Sequence, residues 1–281
     1  MSKRNAILKA LALAAAITLP ATAGAEDIAM PQALKDKGRL VVGIESSYPP
    51  MAYRDTATNE RIGLNIDLVT AIGKKLGIDV QWEEMGFEQL MTSVETGRID
   101  MIGAAISDLP KRREKMTFVD YLVTGAQPFT LKDKAETLKT NLDLCGQRVG
   151  APSFTSYFPE AKKWSDENCV AAGKPAMIVN GTNGATATRL DLKQGRLDAG
   201  VLGPEFVVHL MRDEPDTYAL VGEPLLTSLF GLAFKKDDVA TRDAVAKAIN
   251  ALIADGTYTE ILKKHGLEKW AMTSTKIDAG Q

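Results

Sequence analysis

The segment Asp100-Met-Ile-Gly-Ala-Ala-Ile106 is a nearly all-apolar run, followed at once by Ser107-Asp-Leu-Pro-Lys-Arg-Arg113. A short apolar run that ends in a Pro-led turn is typical of a strand buried on both faces. Two earlier strands are predicted at Arg39–Glu45 and Ile78–Trp82, and apolar residues at helical spacing, each time ended by a glycine, lie between the three. This β-α-β-α-β order predicts an α/β unit with a parallel sheet.

A second series of strand and helix signals begins near Gln147. It predicts strands at 148–151, 176–179 and 198–202 and helices at 154–164 and 185–194. After it come a predicted strand at 229–235 and helices at 238–254 and 258–265. Two similar series indicate two α/β units rather than one long sheet. The last three elements are surplus to the second unit, so we expect them to return and complete the first.

The N-terminus has the layout of a secretory signal peptide. Lys3, Arg4 and Lys9 form a basic start, an apolar stretch covers 10–19, and Ala23-Gly-Ala25 is a small-residue cleavage site. We predict a signal peptide at 1–25 that is cleaved after Ala25. The residue directly after the cleavage site is not a cysteine, so a lipid anchor is not indicated. No other run has the length and apolarity of a membrane span.

The net charge and the composition of the chain limit the kinds of molecule that it is expected to bind. The formal net charge is −2, and the predicted signal peptide removes basic residues only, so the mature chain is more acidic. Such a chain is not expected to bind nucleic acid or an anionic membrane. The two histidines, His209 and His265, lie apart from each other and from the cysteines, so we expect no metal site and no cofactor. The even cysteine count in an exported chain predicts a Cys145–Cys169 disulfide.

Polar residues follow four of the predicted strands, at 45–48, 107–112, 153–156 and 203–205. Ligands of open α/β sheets bind beyond the carboxyl ends of strands, and a cleft between two lobes is a preferred place for a small molecule. Arg112 offers a rigid fork of donors that matches a carboxylate, and the hydroxyl of Ser107 can complete the cradle. The alternative for this turn is a solvated basic surface.

Several short motifs occur together in a characteristic order. They are Leu40-Val-Val-Gly-Ile44, Tyr48-Pro-Pro50, Ile62-Gly-Leu-Asn-Ile-Asp-Leu68, Phe87-Glu-Gln-Leu90, Gly97-Arg-Ile-Asp100, Pro110-Lys-Arg-Arg113 with Phe118, Gly195-Arg-Leu-Asp-Ala199 and Asp255-Gly-Thr-Tyr258. In these motifs the chain resembles the bacterial family-3 extracellular solute-binding proteins, which are polar amino-acid receptors of ABC importers. The resemblance covers residues 32–268.

The resemblance implies a two-lobed α/β fold, the type II periplasmic-binding-protein fold, with two crossover strands and hinge closure on the ligand. Lobe 1 would comprise 26–127 and 230–281, and lobe 2 would comprise 128–229. The bend is expected near Gln127–Thr130 and Leu226–Phe230. It also implies a periplasmic protein that delivers its ligand to the membrane permease of an ABC importer, and we expect a monomer.

By matching motif positions, the resemblance implies a carboxylate site. Arg112 would grip the ligand α-carboxylate, with Ser107 as a donor beside it. Thr155 and Ser156 match the two threonines of the family's Gly-Thr-Thr turn, which holds the carboxylate from lobe 2.

The rest of the implied pocket comes from lobe 1. Glu45 and Tyr48 match first-strand positions that contact the ligand side chain or form part of the pocket wall. Phe87 matches an apolar wall residue, and Ala105 matches a residue whose backbone carbonyl accepts from the ligand amine.

Three positions depart from the family pattern. Gly203 stands where the family has an acid that pairs with the ligand ammonium; Glu205 could replace it, or the ligand has no α-amino group. Phe154 stands in place of the glycine of Gly-Thr-Thr, and Leu109 replaces a threonine. Each of three residues also has a structural alternative to a binding role. Glu45 could be a surface carboxylate, Phe87 a core residue, and Glu205 a solvated acid at a helix start.

Two other functions are compatible with the same fold. The chain also resembles periplasmic cyclohexadienyl dehydratases, in which Glu45 or Glu205, buried in the cleft, would have to act as a general acid. A ligand sensor that docks on a membrane receptor would read the same closed shape. The prediction is a binding protein without catalytic residues.

Overall fold

The computed structural model describes residues 28–280, so the predicted signal peptide at 1–25 lies outside the described residues. The strands are, in chain order, β1 (Arg39–Ile44), β2 (Ser47–Tyr48), β3 (Ala52–Arg54), β4 (Arg61–Ile62), β5 (Asp79–Glu84), β6 (Met101–Ser107), β7 (Met116–Gly125), β8 (Gln127–Leu131), β9 (Arg148–Pro152), β10 (Ile178–Thr182), β11 (Ala199–Leu202), β12 (Tyr218–Leu220), β13 (Thr227–Lys235) and β14 (Ala271–Ile277). The helices are α1 (Gln32–Lys37), α2 (Leu64–Leu76), α3 (Phe87–Glu95), α4 (Pro110–Arg113), α5 (Tyr157–Trp164), α6 (Ala185–Lys193), α7 (Pro204–Asp213), α8 (Val239–Ala254) and α9 (Thr257–His265).

Two large sheets organise the chain into two lobes. The sheet of lobe 1 has the order β14-β7-β13-β6-β1-β5, and the sheet of lobe 2 has the order β10-β9-β11-β8-β12. A small antiparallel sheet, β2-β3-β4, follows β1. Strand β13 pairs with β6 and β7, so the C-terminal part of the chain returns to lobe 1, as the sequence predicts.

The prediction of parallel sheets holds for three strands in each lobe, and the complete sheets are mixed. Strands β5, β1 and β6 are parallel, as are β10, β9 and β11. The antiparallel strands are β7, β13 and β14 in lobe 1 and β8 and β12 in lobe 2. The chain passes between the lobes at β7–β8 and again before β13, without the crossover helix that joins parallel strands.

Strand alternation divides the core of lobe 1 into two layers. Val42 packs with helices α2 and α8, whereas its neighbour Val41 packs on the opposite face with Leu90 and Val94 of α3. Successive side chains of a strand point to opposite faces, so a central strand covered by helices on both sides is apolar throughout. A separate core fills lobe 2.

Local signals set the ends of the long helices. Helix α2 ends where Gly77 adopts a left-handed conformation with φ 67°, which glycine reaches without steric cost. Helix α8 begins after Asp238, whose carboxylate accepts from the backbone N–H of Thr241 at 3.1 Å.

The predicted disulfide is confirmed. Cys145 and Cys169 are bonded within lobe 2, and Cys169 belongs to its core. The bond closes a loop of 24 positions, which is worth about 3 kcal/mol in the chain-entropy treatment.

Helix α5 is shorter than predicted, because it begins at Tyr157 and not at Phe154. The hydroxyl of Thr155 donates to the carbonyl of Pro152 at 2.8 Å and accepts from the backbone N–H of Tyr157 at 3.3 Å. Such local side-chain bonds hold a turn in competition with the helix. Residues 153–156 are therefore a turn that leads into the helix.

Strands β12 and β14, most of β7 and the small β2-β3-β4 sheet are not predicted from the sequence. Within residues 28–280, no helix combines the length and the apolar character that crossing a bilayer requires. The same residues contain no cluster of three His, Cys or acidic side chains able to hold a metal ion.

Candidate functional site

A cavity of about 200 Å³ lies between the lobes, beyond the carboxyl ends of β1, β6 and β9. Lobe 1 and lobe 2 both contribute to its wall. The lining residues are Glu45, Ser47, Tyr48, Met51, Ala52, Phe87, Glu88, Ala104, Ala105, Ser107, Arg112, Pro152, Phe154, Thr155, Ser156, Tyr157, Asn183, Gly184, Ala185, Thr186 and Phe230.

Arg112 supplies a positive charge to this cavity from the short helix α4. One of its terminal nitrogens donates to the carbonyl of Ser107 at 2.8 Å, and its guanidinium carbon lies 6.0 Å from the centre of the Phe87 ring. Burial lowers the pKa of Arg112 to about 10, which leaves it charged at neutral pH. Among residues 28–280 it forms no ion pair, so its remaining donors are available to a bound group.

Hydroxyl groups from the two lobes meet beside this arginine. The Oγ atoms of Ser107 in lobe 1 and Ser156 in lobe 2 lie 3.2 Å apart. Ser156 also precedes the first turn of α5, but this turn offers few donors to an anion, because Pro159 has no N–H and the N–H of Tyr157 is bonded to Thr155. The guanidinium and the two hydroxyls form one region suited to a carboxylate.

Two acidic side chains, Glu45 and Glu88, line the same cavity. Partial burial raises the pKa of Glu45, repulsion from Glu88 and Glu84 adds to the shift, and a hydrogen bond from Ser47 opposes it. With Arg112 the cavity wall thus carries two carboxylates and one guanidinium. A ligand with net positive charge would balance this set.

Glu205 is fully buried behind the cavity wall, in the first turn of α7. Its carboxylate accepts from the hydroxyl of Tyr48 at 3.0 Å and from that of Thr124 at 2.8 Å. The Tyr48 hydroxyl also lies 3.1 Å from the hydroxyl of Tyr157. Desolvation by burial raises the pKa of Glu205 to about 7. Its burial corrects the reading of Glu205 as a solvated acid at a helix start.

Gly203 and Glu205 are coupled in space. A Cβ built on Gly203 would overlap the Glu205 carboxylate, which therefore fills the space of a side chain at position 203. The backbone N–H of Gly203 donates to the Tyr48 hydroxyl at 3.1 Å. Neither residue belongs to the cavity wall, however, and Tyr48 connects Glu205 to it.

Nine of the predicted site residues lie together in the cavity wall: Glu45, Tyr48, Phe87, Ala105, Ser107, Arg112, Phe154, Thr155 and Ser156. Phe154 is 59% exposed, and it lies in the turn before α5. The hydroxyl of Thr155 is occupied by backbone groups of its own turn, so of this pair it is Ser156 that reaches across the cleft.

Several wall residues are absent from the sequence predictions. Glu88 directly follows Phe87 at the start of α3, and Asn183 and Thr186 follow the carboxyl end of β10. The strand-end rule that selected the other segments would have selected 183–186, because β10 is parallel to β9. Phe230 lies in β13, where no local signal indicated a site.

The match to a family model agrees with this architecture. Residues 40–268 match the bacterial extracellular solute-binding proteins, family 3. The chain belongs to this family. Its members are extracellular or periplasmic proteins that bind solutes.

Individual relatives are similar over most of the chain. The arginine-binding protein ArgT of Corynebacterium glutamicum is 27% identical over 249 residues, which are 89% of this chain and 81% of that protein. The L-cystine-binding protein TcyJ of Escherichia coli is 26% identical over 82% of this chain and 84% of its own length. A solved structure of an ancestral arginine-binding protein bound to arginine has a TM-score of 0.71 at 27% identity, covering 81% of this chain and 97% of that one.

Proposed function

We propose that this protein captures an amino acid in the cavity between its lobes and delivers it to the permease of an ABC importer. The observation that carries the proposal is Arg112, a charged and partly buried guanidinium that faces the cavity and forms no ion pair among residues 28–280. A buried charge without a partner is costly, and a ligand carboxylate supplies the missing partner. The names of the relatives, arginine-binding and L-cystine-binding proteins, support the same ligand class.

The charge pattern of the cavity favours a cationic side chain on that amino acid. Arg112 would bind the α-carboxylate together with Ser107 and Ser156. Glu45 and Glu88 would then receive the positive groups. The raised pKa of Glu45 fits this role, because a cation beside it offsets the cost of its partial burial.

The lobes would close on the ligand by bending of the crossover strands. The predicted bend segments, Gln127–Thr130 and Leu226–Phe230, cover the start of β8 in one sheet and the start of β13 in the other, next to the points where the chain passes between the sheets. The proposed boundaries are 26–127 with 230–281 for lobe 1 and 128–229 for lobe 2, and each division falls within three residues of the start of β8 or β13. We further propose a monomer that reaches the periplasm through cleavage after Ala25.

The proposal is a binding protein and not an enzyme. A dehydratase would need a general acid that touches its substrate. Glu205 has the raised pKa but not the access, since it lies outside the cavity wall. Glu45 and Glu88 have access, and the charge balance with Arg112 assigns both carboxylates to the positive groups of a bound ligand. Incubation with prephenate or arogenate and an assay for aromatic product would reveal turnover. A receptor-docking sensor remains the alternative to an importer component.

Thermal unfolding of residues 26–281 with a small panel of compounds tests the ligand class. L-Arginine should raise Tm, because a ligand at about 100 times its Kd stabilises the native state by about 2.7 kcal/mol. L-Citrulline, which has a neutral side chain of similar shape, should raise it less, and L-argininamide, which has no carboxylate, should have almost no effect. Equal shifts for arginine and citrulline would contradict the cationic side chain, and an equal shift for argininamide would contradict carboxylate capture. L-Cystine is included in the panel as the alternative candidate ligand.

A further inference from the structure

The C-terminal segment contacts the turn that carries Arg112. The family match ends at residue 268, and strand β14 lies beyond it. β14 runs antiparallel along β7, with Lys276 opposite Asp120 and Ile277 opposite Val119. The next three residues, Asp278–Gly280, which we call the tail, leave the strand and reach the start and the end of that turn.

Asp278 fixes the beginning of the tail. Its two carboxylate oxygens accept from the hydroxyl of Thr117 and from the backbone N–H of Phe118, each at 2.8 Å. Its φ of 53° lies in the left-handed region, which aspartate adopts more readily than most residues. The chain therefore turns sharply here, away from β7 and toward the turn of Arg112.

Gly280 fixes the other end. Its backbone N–H donates to the carboxylate of Asp108 at 2.7 Å, and its carbonyl accepts from Arg113 at 2.6 Å. A Cβ at this position would overlap the backbone carbonyl of Asp108, so only glycine fits. Arg113 also donates to the carbonyl of Asp278.

The tail thus holds residues on both sides of Arg112. Asp108 is fully buried, and it lies directly after Ser107, whose carbonyl accepts from Arg112. Arg113 lies directly after Arg112, with its donors engaged by the tail and by Asp108, 3.4 Å from its Nε. We propose that the tail Asp278–Gly280 is a positioning element of the ligand site, which keeps Asp108 and Arg113 paired with the tail and leaves Arg112 free for the ligand carboxylate. This rests on the proposed function.

Loss of the tail would change the charges around Arg112. Asp108 would lose the N–H of Gly280, and Arg113 would lose two carbonyl acceptors. The Asp108 carboxylate already acts on Arg112, since it raises the pKa that burial lowers. Without the tail, that carboxylate would compete with the ligand for Arg112. The tail therefore acts on carboxylate recognition specifically, and not only on stability.

The test compares residues 26–281 with a chain that ends at Ile277, by calorimetry with L-arginine. Loss of the tail should weaken arginine binding at least tenfold. In the Arg112→Ala background, the same truncation should change arginine affinity by less than about twofold. A purely structural tail would weaken arginine binding by the same factor in either background.

Two further variants keep the outcome decisive. If the truncated chain does not fold, Gly280→Ala replaces it. The added methyl group would overlap Asp108, so this variant should lose arginine affinity in the same way. Ile249→Val, in the core of lobe 1 away from the turn, should lower Tm without changing arginine affinity. Unchanged arginine affinity in the truncated chain and in Gly280→Ala would overturn the positioning role alone. Failure of the full chain to bind any carboxylate in the panel would overturn the proposed function together with it.

Discussion

Arg112 and Arg113 are consecutive residues on one short helix, yet their surroundings are opposite. Arg113 points into the tail and has an acceptor for most of its donors. Arg112 points into the cavity, where a single carbonyl accepts from it. A guanidinium surrounded by protein acceptors stabilises the fold, whereas one left with free donors is available for a ligand. We therefore expect Arg113 to stabilise the fold and the adjacent Arg112 to bind the ligand.

Replacement of Arg112 should have the largest effect on binding. Arg112→Ala removes one partner of a buried charge pair, which costs about 2–5 kcal/mol, so the affinity for the L-arginine probe should fall more than tenfold. Tm without ligand should change little. Arg112→Lys should recover only part of the affinity, because lysine lacks the fork.

Lys111 provides the control for this change, because it is an exposed cation of the same helix and does not line the cavity. Lys111→Ala should bind arginine like the unmodified protein in calorimetry. Equal affinity of Arg112→Ala and Lys111→Ala would refute the role of Arg112.

Replacement of Arg113 should mainly reduce stability. Arg113→Ala leaves the buried Asp108 carboxylate without its cation and the tail without two hydrogen bonds, a loss of about 1–3 kcal/mol. Denaturant unfolding without ligand measures it. Lys115→Ala removes a nearby exposed cation that pairs with Glu95 and should cost less than about 1 kcal/mol. If both variants unfold at the same denaturant concentration, the two arginines do not differ as described.

The sequence could locate the turn but could not distinguish its two arginines. The apolar run before Ser107 and the family motif both point to this strand end, and the resemblance selected Arg112 by position. The acceptors of Arg113 belong to the tail, which is about 165 positions away in sequence. The tail is polar and has no hydrophobic period that would predict where it packs.

Glu205 shows the same limit at the opposite lobe. Its position at the start of α7 predicts a solvated acid as well as a ligand-binding one. Its burial arises because Tyr48 of lobe 1 and Thr124 of the crossover strand both come to it from distant parts of the chain. Strands and helices with a clear period were predicted well, whereas contacts that assemble from three distant segments were not.

The titration of Glu205 should give a pH dependence of binding. In this structure the carboxylate is buried among the neutral groups of Tyr48, Tyr157 and Thr124, and desolvation raises its pKa from the ordinary 4.5 to about 7. We expect opening of the cleft to withdraw Tyr48 and to return this pKa toward 4.5. A closed form that binds a proton more tightly is favoured as pH falls. Affinity should therefore increase by up to about tenfold per pH unit as pH falls from 7 toward 4.5, and it should be flat above 7.

Calorimetry of the unmodified protein and of Glu205→Gln isolates this contribution from that of Glu45. The difference between their affinities should have the trend described. A direct contact between Glu205 and a ligand ammonium would lower the pKa of Glu205 in the complex and reverse the trend. An affinity difference that decreases with falling pH would thus restore Glu205 as the ammonium partner.

The smallest expected effect concerns Asp120, which lies beside Asp108 under the tail. Burial, followed by repulsion from Asp108, raises the pKa of Asp120 from 3.8 to about 7. Because the folded state binds this proton more tightly than the unfolded state, the corresponding stability is complete below pH 3.8 and is lost as pH rises toward 7. Asp120→Asn keeps an oxygen for the N–H of Ala279 and offers a donor to Asp108, as the protonated acid does. It should raise Tm at pH 8 by about 2–4 °C, which corresponds to about 1 kcal/mol in a chain of this size, and should have little effect at pH 4.

Calorimetric scans at both pH values measure the change. Ile249→Val, which changes neither a titrating group nor a hydrogen bond to one, should shift Tm equally at both pH values. A rise for Asp120→Asn of the same size at pH 4 and pH 8 would exclude the titration of Asp120 as its cause and would leave the tail's hydrogen bonds as the source of its stability.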